Sequence, residues 1–393
     1  MNLRPIISDD TTDTHAITFS PDTSTIASGC GDGSVRVYAA AAGRRLFRLQ
    51  NGTSPITSVQ FKPELSPTEP LQILSASSAG VVTRWHASRG TILSTFTLPT
   101  EIYNLKYAPD ASIYAAAGKD KAIRIFDENT NSQLCELRGG SNVLQTAGHS
   151  NRIFSVEFDK LNHNILYSSG WDNTVQIWDI RCGHSVSSIH DVQVCGDSLD
   201  SAENLLLCGS WRQRAALQVF DLRNLQSALK DILEVKYDYS KAFDAQNSQQ
   251  IAPVEIIKTV HFNSEKGVKK QIPEIDFSQL IQRQLAEVEN LEDGEIPQTS
   301  RIPSIEHFEE LQAPAENLHP TLVYAARFNQ KAKNLVFGAG SGGNAVKIID
   351  WEQDRIISEV VAPGACFCGA SSACGRFGAF AGAGFGVQIF GFE

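Results

Sequence analysis

Apolar and polar residues alternate with a period of two over short stretches along most of this chain, the pattern of half-buried β-strands. In Ile153–Phe158, Ile153, Ser155 and Glu157 fall on one face and Phe154, Val156 and Phe158 on the other. Strings of the same kind recur as HAITFSPD, ITSVQFKP, IYNLKYAPD and YAARFNQ. Pro and Asp after the aromatic turn the chain into the next strand, and the turns GDGS, GKDKA and GWDN join second strands to third ones.

Each repeat can be anchored on the bulky residue that ends its third strand: Tyr38, Trp85, Phe126, Trp178, Phe220, Ile349 and Phe390. Successive anchors lie 47, 41, 52, 42, 129 and 41 residues apart. Five of these intervals are one propeller blade long, and the sixth is a blade plus an insertion. Seven anchors predict an all-β, seven-bladed β-propeller. Its last repeat stops at a third strand, GVQIFGFE, so the N-terminal segment LRPIIS is expected to supply the fourth and close the ring. The predicted organisation is blades one to five over 1–232, an acidic insertion over 233–319 and blades six and seven over 320–393.

The run from Gly148 to Arg181, GHSNRIFSVEFDKLNHNILYSSGWDNTVQIWDIR, opens with Gly-His and closes with Trp-Asp. On these residues the array resembles the WD-repeat (tryptophan–aspartate) propeller family over residues 15–232 and 320–393. The resemblance implies a hydrogen-bonded tetrad of His149, Ser168, Asp172 and Trp178, in which a buried Asp, His and indole N–H satisfy one another. Asp32 and Asp120 match the turn Asp in blades one and three, where Tyr38 and Phe126 replace Trp and the tetrads are incomplete. His149 and Asp172 are therefore read as structural rather than as a catalytic dyad.

The resemblance also implies that the residue before the turn Asp faces a binding surface: Gly31, Lys119 and Trp171. Trp211 stands in a corresponding turn of the next blade, with Arg212 and Arg214 beside it. Trp and Arg are enriched at interaction hot spots. Two uses are open for these indoles, a partner-binding patch or packing under loops. A further likeness lies in WDIR and FDLR, whose Asp179–Arg181 and Asp221–Arg223 are similar to the motif by which substrate receptors dock to a cullin–RING ubiquitin ligase adaptor.

In the insertion, Asp276 caps a predicted helix with Gln279 three residues on, and Gly294 ends it. Phe277, Leu280, Ile281, Leu285, Val288 and Leu291 form its apolar stripe, suited either to the propeller's own rim or to a partner. The Pro-punctuated acidic stretch that follows reads as an arm.

Composition narrows the function. The chain has 393 residues with 34 basic against 44 acidic side chains, a formal net charge of -10. An acidic chain without a basic run suits neither direct nucleic-acid contact nor anionic membranes, which leaves protein partners. No N-terminal apolar leader or membrane-length apolar run is seen, and eight cysteines without framework spacing read as reduced thiols of a cytoplasmic or nuclear protein. The run from Gly338 to Gly343 fits a dinucleotide fingerprint but precedes a strand pattern, not the helix that would meet a pyrophosphate. Cys366, Cys368 and Cys374 lack a CxxC pair or nearby His, so no zinc site is expected. No cofactor is implied. The expected role is a non-enzymatic scaffold subunit, itself monomeric within a larger complex, with a ligase substrate receptor as the alternative.

Overall fold

The computed structural model describes residues 3–5, 12–63, 70–139, 148–212, 216–223, 230–232, 322–341, 343–353 and 355–392. The predicted insertion helix (277–291), the acidic arm and Arg214 lie outside these residues. Among the described residues every regular element is a strand, and the strands form seven four-stranded antiparallel sheets.

Blade one consists of β2 (Thr14–Phe19), β3 (Thr25–Cys30), β4 (Ser34–Ala39) and β5 (Arg45–Gln50). Blade two holds β6 (Ile56–Phe61), β7 (Gln72–Ser77), β8 (Val81–His86) and β9 (Thr91–Thr97). Blade three holds β10 (Ile102–Tyr107), β11 (Ile113–Gly118), β12 (Ile123–Asp127) and β13 (Gln133–Leu137). Blade four holds β14 (Ile153–Phe158), β15 (Ile165–Gly170), β16 (Thr174–Asp179) and β17 (His184–His190). Blade five holds β18 (Leu199–Ala202), β19 (Leu205–Gly209), β20 (Leu217–Asp221) and β21 (Lys230–Ile232). Blade six holds β22 (Leu322–Phe328), β23 (Leu335–Ser341), β24 (Ala345–Asp350) and β25 (Arg355–Val361). Blade seven combines β26 (Cys366–Ser371), β27 (Phe377–Gly382) and β28 (Phe385–Gly391) with β1 (Leu3–Pro5). The N-terminal strand pairs Leu3 with Phe390 and Pro5 with Gln388, which completes the last sheet and covers the outer edge of β28. The glycine-rich run from Gly338 leads from β23 into the strand β24, so no helix N-terminus stands there.

All seven anchors occupy one register: Ile26–Tyr38, Ile73–Trp85, Tyr114–Phe126, Leu166–Trp178, Leu206–Phe220, Val336–Ile349 and Gly378–Phe390 are cross-strand pairs. Each anchor is buried, because it fills the junction between its blade and a neighbour. Seven apolar clusters result, one at every junction, and the cluster joining Ile17 and Tyr38 of blade one to Cys368 and Ile389 of blade seven closes the ring. Burial of these junctions is the main stabilising term of a repeat array, since no blade can cover both its faces alone.

Simple alternation fails at the start of the innermost strands. In β14 the pairing shifts between Ile153 and Ser155, a β-bulge with Phe154 as the extra residue. Ile153 therefore joins Val156 and Phe158 in one junction cluster instead of opposing them, and Phe154 is freed from that face. The same shift occurs at the start of the innermost strand in blades one, two, three, six and seven. The bulge presses a backbone carbonyl onto the end of the second strand. A Cβ on Gly170 would stand 1.8 Å from the Arg152 carbonyl oxygen, and Gly118, Gly340 and Gly382 meet equivalent carbonyls at 1.9, 2.0 and 1.8 Å. Gly170→Ala is accordingly expected to cost about 1–3 kcal/mol through backbone displacement. A lowered urea midpoint at unchanged slope measures it.

Candidate functional site

The bulges build the candidate site. Each pushes one side chain of an innermost strand toward the central channel: His15, Thr57, Tyr103, Phe154, Tyr324 and Phe367. In blade five regular pairing starts only at Leu199, and Asp197 takes the equivalent place. These seven positions line a cavity of about 420 Å³ to which every blade contributes.

The rings touch in sequence around the mouth. His15 stacks on Phe367 at 5.7 Å between centroids, and Phe367 meets Tyr324 edge-on at 5.7 Å. Tyr324 meets Trp211 at 5.0 Å, Trp211 lies 6.4 Å from Trp171, and Trp171 lies 5.3 Å from Phe154. Phe154 stacks nearly flat on Tyr103 at 4.8 Å. All these separations fall within the range where aromatic pairs attract. Trp171 remains 36% exposed, and the guanidinium of Arg152 sits 5.6 Å over its ring. Gly196 makes room for the series, since a Cβ there would meet the Tyr324 carbonyl oxygen at 2.5 Å.

Three residues beyond the bulge positions lies a charged level. Lys106 pairs with Glu157 at 2.7 Å and Asp200 with Lys160 at 2.8 Å. Arg327 donates to Asp197 and to the carbonyls of Asp197 and Leu199. Burial raises the Asp197 carboxyl, but the Arg327 and Lys106 charges and the hydrogen bonds of Ser155 and Asn104 together outweigh it and hold the group below its ordinary value. Burial wins at Glu157, which is raised despite Lys106. Asn104 is also part of this wall, and its Oδ1 is buried without a hydrogen-bond partner.

The predicted tetrad residues come together inside blade four. Trp178 Nε1 donates to Ser168 Oγ at 2.7 Å, Ser168 Oγ lies 2.7 Å from His149 Nε2, and His149 Nδ1 lies 2.6 Å from Asp172 Oδ2. A neutral imidazole protonated on Nδ1 satisfies every member of this chain. Blade two keeps half of it, with Trp85 Nε1 donating to Ser75 Oγ at 2.9 Å. In blades one and three arginines replace the histidine: Asp32 receives Arg36 at 2.8 Å and Arg48 at 2.9 Å, and Asp120 receives Arg124 and Arg138. Burial opposes ionisation of Asp32, yet Ser34 and Arg36 bring its carboxyl down to about 2.

Of the expected face residues, Trp171 and Trp211 join the aromatic series, Gly31 lies beside His15, and exposed Lys119 pairs with Glu101 at 2.6 Å. Arg212 is exposed and donates to the Asp191 carbonyl at 2.6 Å. Arg181 and Arg223 lie elsewhere, in turns between third and fourth strands, each folded onto its own Asp179 or Asp221 at 2.7 Å. The eight cysteines are free thiols, and among the described residues no group of side chains is arranged to hold a metal ion. Sequence reasoning missed His15, Thr57, Tyr103, Asp197, Tyr324 and Phe367. The available signal was an aromatic ring at the second or third residue of five innermost strands.

Seven four-stranded sheets, junction-filling anchors and a His–Ser–Asp–Trp chain define a repeat propeller with a central channel. A family model described as WD domain, G-beta repeat matches residues 7–39 and 140–179, in blades one and four. The chain thus carries WD repeats in these two blades of a seven-bladed β-propeller. It is similar to the Periodic tryptophan protein 2 homolog of Dictyostelium discoideum, 26% identical over 200 residues, 49% of this chain and 20% of that protein. It is also similar to the U3 small nucleolar RNA-associated protein 21 homolog of Schizosaccharomyces pombe, 26% identical over 167 residues, 42% of this chain and 17% of that one. A third relative is the Ribosome biogenesis protein ytm1 of Pyrenophora tritici-repentis, 27% identical over 129 residues, 33% of this chain and 26% of that one. The matches thus span about a fifth of the length of these relatives.

Proposed function

We propose that this chain is a non-enzymatic scaffold subunit of a multiprotein assembly in the nucleus, acting in ribosome biogenesis. The observation that carries the reading is the continuous series of aromatic rings at the channel mouth, formed by bulge residues of the innermost strands together with the turn indoles Trp171 and Trp211. Half-buried rings at an open mouth are apolar area that a partner covers with gain. The relatives' names, which mention small nucleolar RNA association and ribosome biogenesis, supply the process. Protein rather than RNA is the proposed direct partner, given the net charge of -10. The channel's charged groups are paired with one another, which suits a wall rather than a reacting centre. Blade five ends at Ile232 and blade six begins at Leu322, so the segment between them is proposed as an insertion and second contact region.

Affinity purification of the tagged full chain with mass spectrometry tests this. A stable set of ribosome-biogenesis proteins is expected, and Trp171→Ala with Trp211→Ala is expected to lose at least part of it. A variant lacking 233–319 separates contacts of the insertion from those of the mouth. The reading falls if no stable set co-purifies. It falls equally if a cullin adaptor is recovered and lost with Arg181→Ala and Arg223→Ala.

A further inference from the structure

We infer that the free edge of blade two takes a fifth strand, an extended and uncharged segment of a partner protein. The inference rests on the reading of the chain as a partner-holding scaffold and adds a second surface, on the rim rather than at the channel mouth.

Each blade ends in an outer strand with one unpaired edge, and its row of free backbone N–H and C=O groups is a template for another strand. Proteins guard such edges with charge or proline. Every other outer strand among the described residues carries an ionisable side chain: Arg4 in β1, Arg48 in β5, Glu136 in β13, His190 in β17, Lys230 in β21 and Arg355 in β25. The outer strand of blade two, β9, carries none, and its sequence is TILSTFT. High β-propensity without charge or proline over such a length is the signature of a strand that pairs.

The same strand exposes apolar side chains. Ile92 is 45% and Leu93 48% exposed. Pairing with β8 shifts between Ile92 and Ser94, which makes Leu93 the extra residue of a bulge, and is regular from Ser94 to Thr97. Equivalent shifts expose Leu46, Leu134, Val186 and Ile357 on other rims, so it is the missing charge that sets blade two apart. Both neighbouring blades hold β9 in place. Asn51, in the link from blade one, donates to Thr95 Oγ1 at 3.2 Å, and Asn131 of blade three donates to Ser94 Oγ at 3.4 Å. Phe96 packs on Phe126 of blade three at 5.3 Å. An edge fixed in this way loses little freedom on pairing.

The edge selects its occupant. Only an extended backbone answers the free N–H and C=O groups along a strand. A charged residue laid along β9 would find no counter-ion on that strand, so the matching segment is uncharged. Area argues against a second copy of the chain. A stable dimer interface uses about 20–30 residues a side, and β9 offers 7. One extended segment needs no more than the edge and the apolar pair beside it.

Hydrogen exchange read by mass spectrometry compares the free full chain with the chain in its affinity-purified assembly. The amides of residues 92–97 are expected to exchange about tenfold more slowly, or slower still, in the assembly. A dye-labelled peptide, Gly-Thr-Val-Thr-Ile-Ser-Val-Thr-amide, tests the chemistry of the occupant by fluorescence anisotropy. It is expected to bind the full chain saturably. The same peptide with proline for both valines is expected to bind about tenfold more weakly or less, because proline lacks the backbone donor. Ile92→Lys with Leu93→Lys puts charge on the edge and is expected to abolish both protection and peptide binding. Both side chains are exposed, so the denaturation midpoint is expected to stay unchanged. Val361→Lys, on the outer strand of blade six, is expected to leave protection and binding intact.

Edge amides that stay unprotected in the assembly overturn the inference. Protection without peptide binding gives the edge to a folded partner surface, and a dimer of the free chain that the lysine variant abolishes gives it to a second copy. Peptide binding that appears only when 233–319 are deleted gives it to the chain's own segment. Each of these three also overturns the inference. If the assembly purifies with the edge unprotected, only this inference is lost. If no assembly purifies, the scaffold reading falls, and the peptide still decides whether the edge takes a strand.

Discussion

Asp172→Ala is expected to lower the unfolding free energy by about 2–4 kcal/mol, since it leaves a buried donor without its acceptor. His149 Nδ1, the Ser150 amide and Thr174 all donate to this one carboxylate. Burial works against its ionisation, but these hydrogen bonds, His149 first, outweigh burial and keep the carboxyl below its ordinary value. The pH dependence follows from the sign. A carboxyl that is more acidic folded than unfolded contributes stability above its ordinary value near 4, and loses it as pH falls through the folded value. Wild type should therefore exceed Asp172→Ala most clearly at neutral pH, and the gap should narrow on acidification. Urea titrations at neutral and acidic pH measure both quantities. An equal gap at both would mean that the carboxylate's charge is not what the tetrad uses.

Arg327→Ala is expected to cost more, about 3–5 kcal/mol, as it leaves the half-buried Asp197 carboxylate without its counter-ion and Asp200 with Lys160 alone. Arg327 comes from blade six, and the Asp197 and Asp200 it faces come from blade five. The guanidinium also satisfies the carbonyls of Asp197 and Leu199, so removal opens the junction as well as the charge network. Adding Asp197→Ala to Arg327→Ala is expected to cost less than the two single changes together, because the second substitution removes a charge that the first had stranded. Strict additivity in the denaturation free energies would show that the two side chains do not act on one another.

The repeat was legible because its determinants are local. Alternation, turn residues and one bulky anchor per third strand recur at blade length, and these alone placed Tyr38, Trp85, Phe126, Trp178, Phe220, Ile349 and Phe390 in a single cross-strand register. The missing fourth strand of the last repeat pointed to closure by the N-terminus, and β1 on β28 supplies it. The motif from Gly148 to Asp179 was enough to name four residues that meet within 2.7 Å of their neighbours. Trp171 and Trp211 stood out as turn indoles, but nothing in sequence spacing related them to Tyr103 or Phe367.

The sequence by itself determined the number of blades, their anchors and the closing pair, and its resemblance to WD repeats implied the histidine network of blade four, since each depends on residues within one repeat or on a count of repeats. Only the tertiary structure decided the channel. A bulge adds one residue to a strand without changing composition or period elsewhere, so Phe154 reads as a core residue in any period-two pattern. Six such bulges, spread over more than three hundred residues, then face one axis. The charged level behind them is equally non-local: Arg327 meets Asp197 across 130 positions of chain. Ring closure brings these groups together, and no local pattern encodes a distance around a ring.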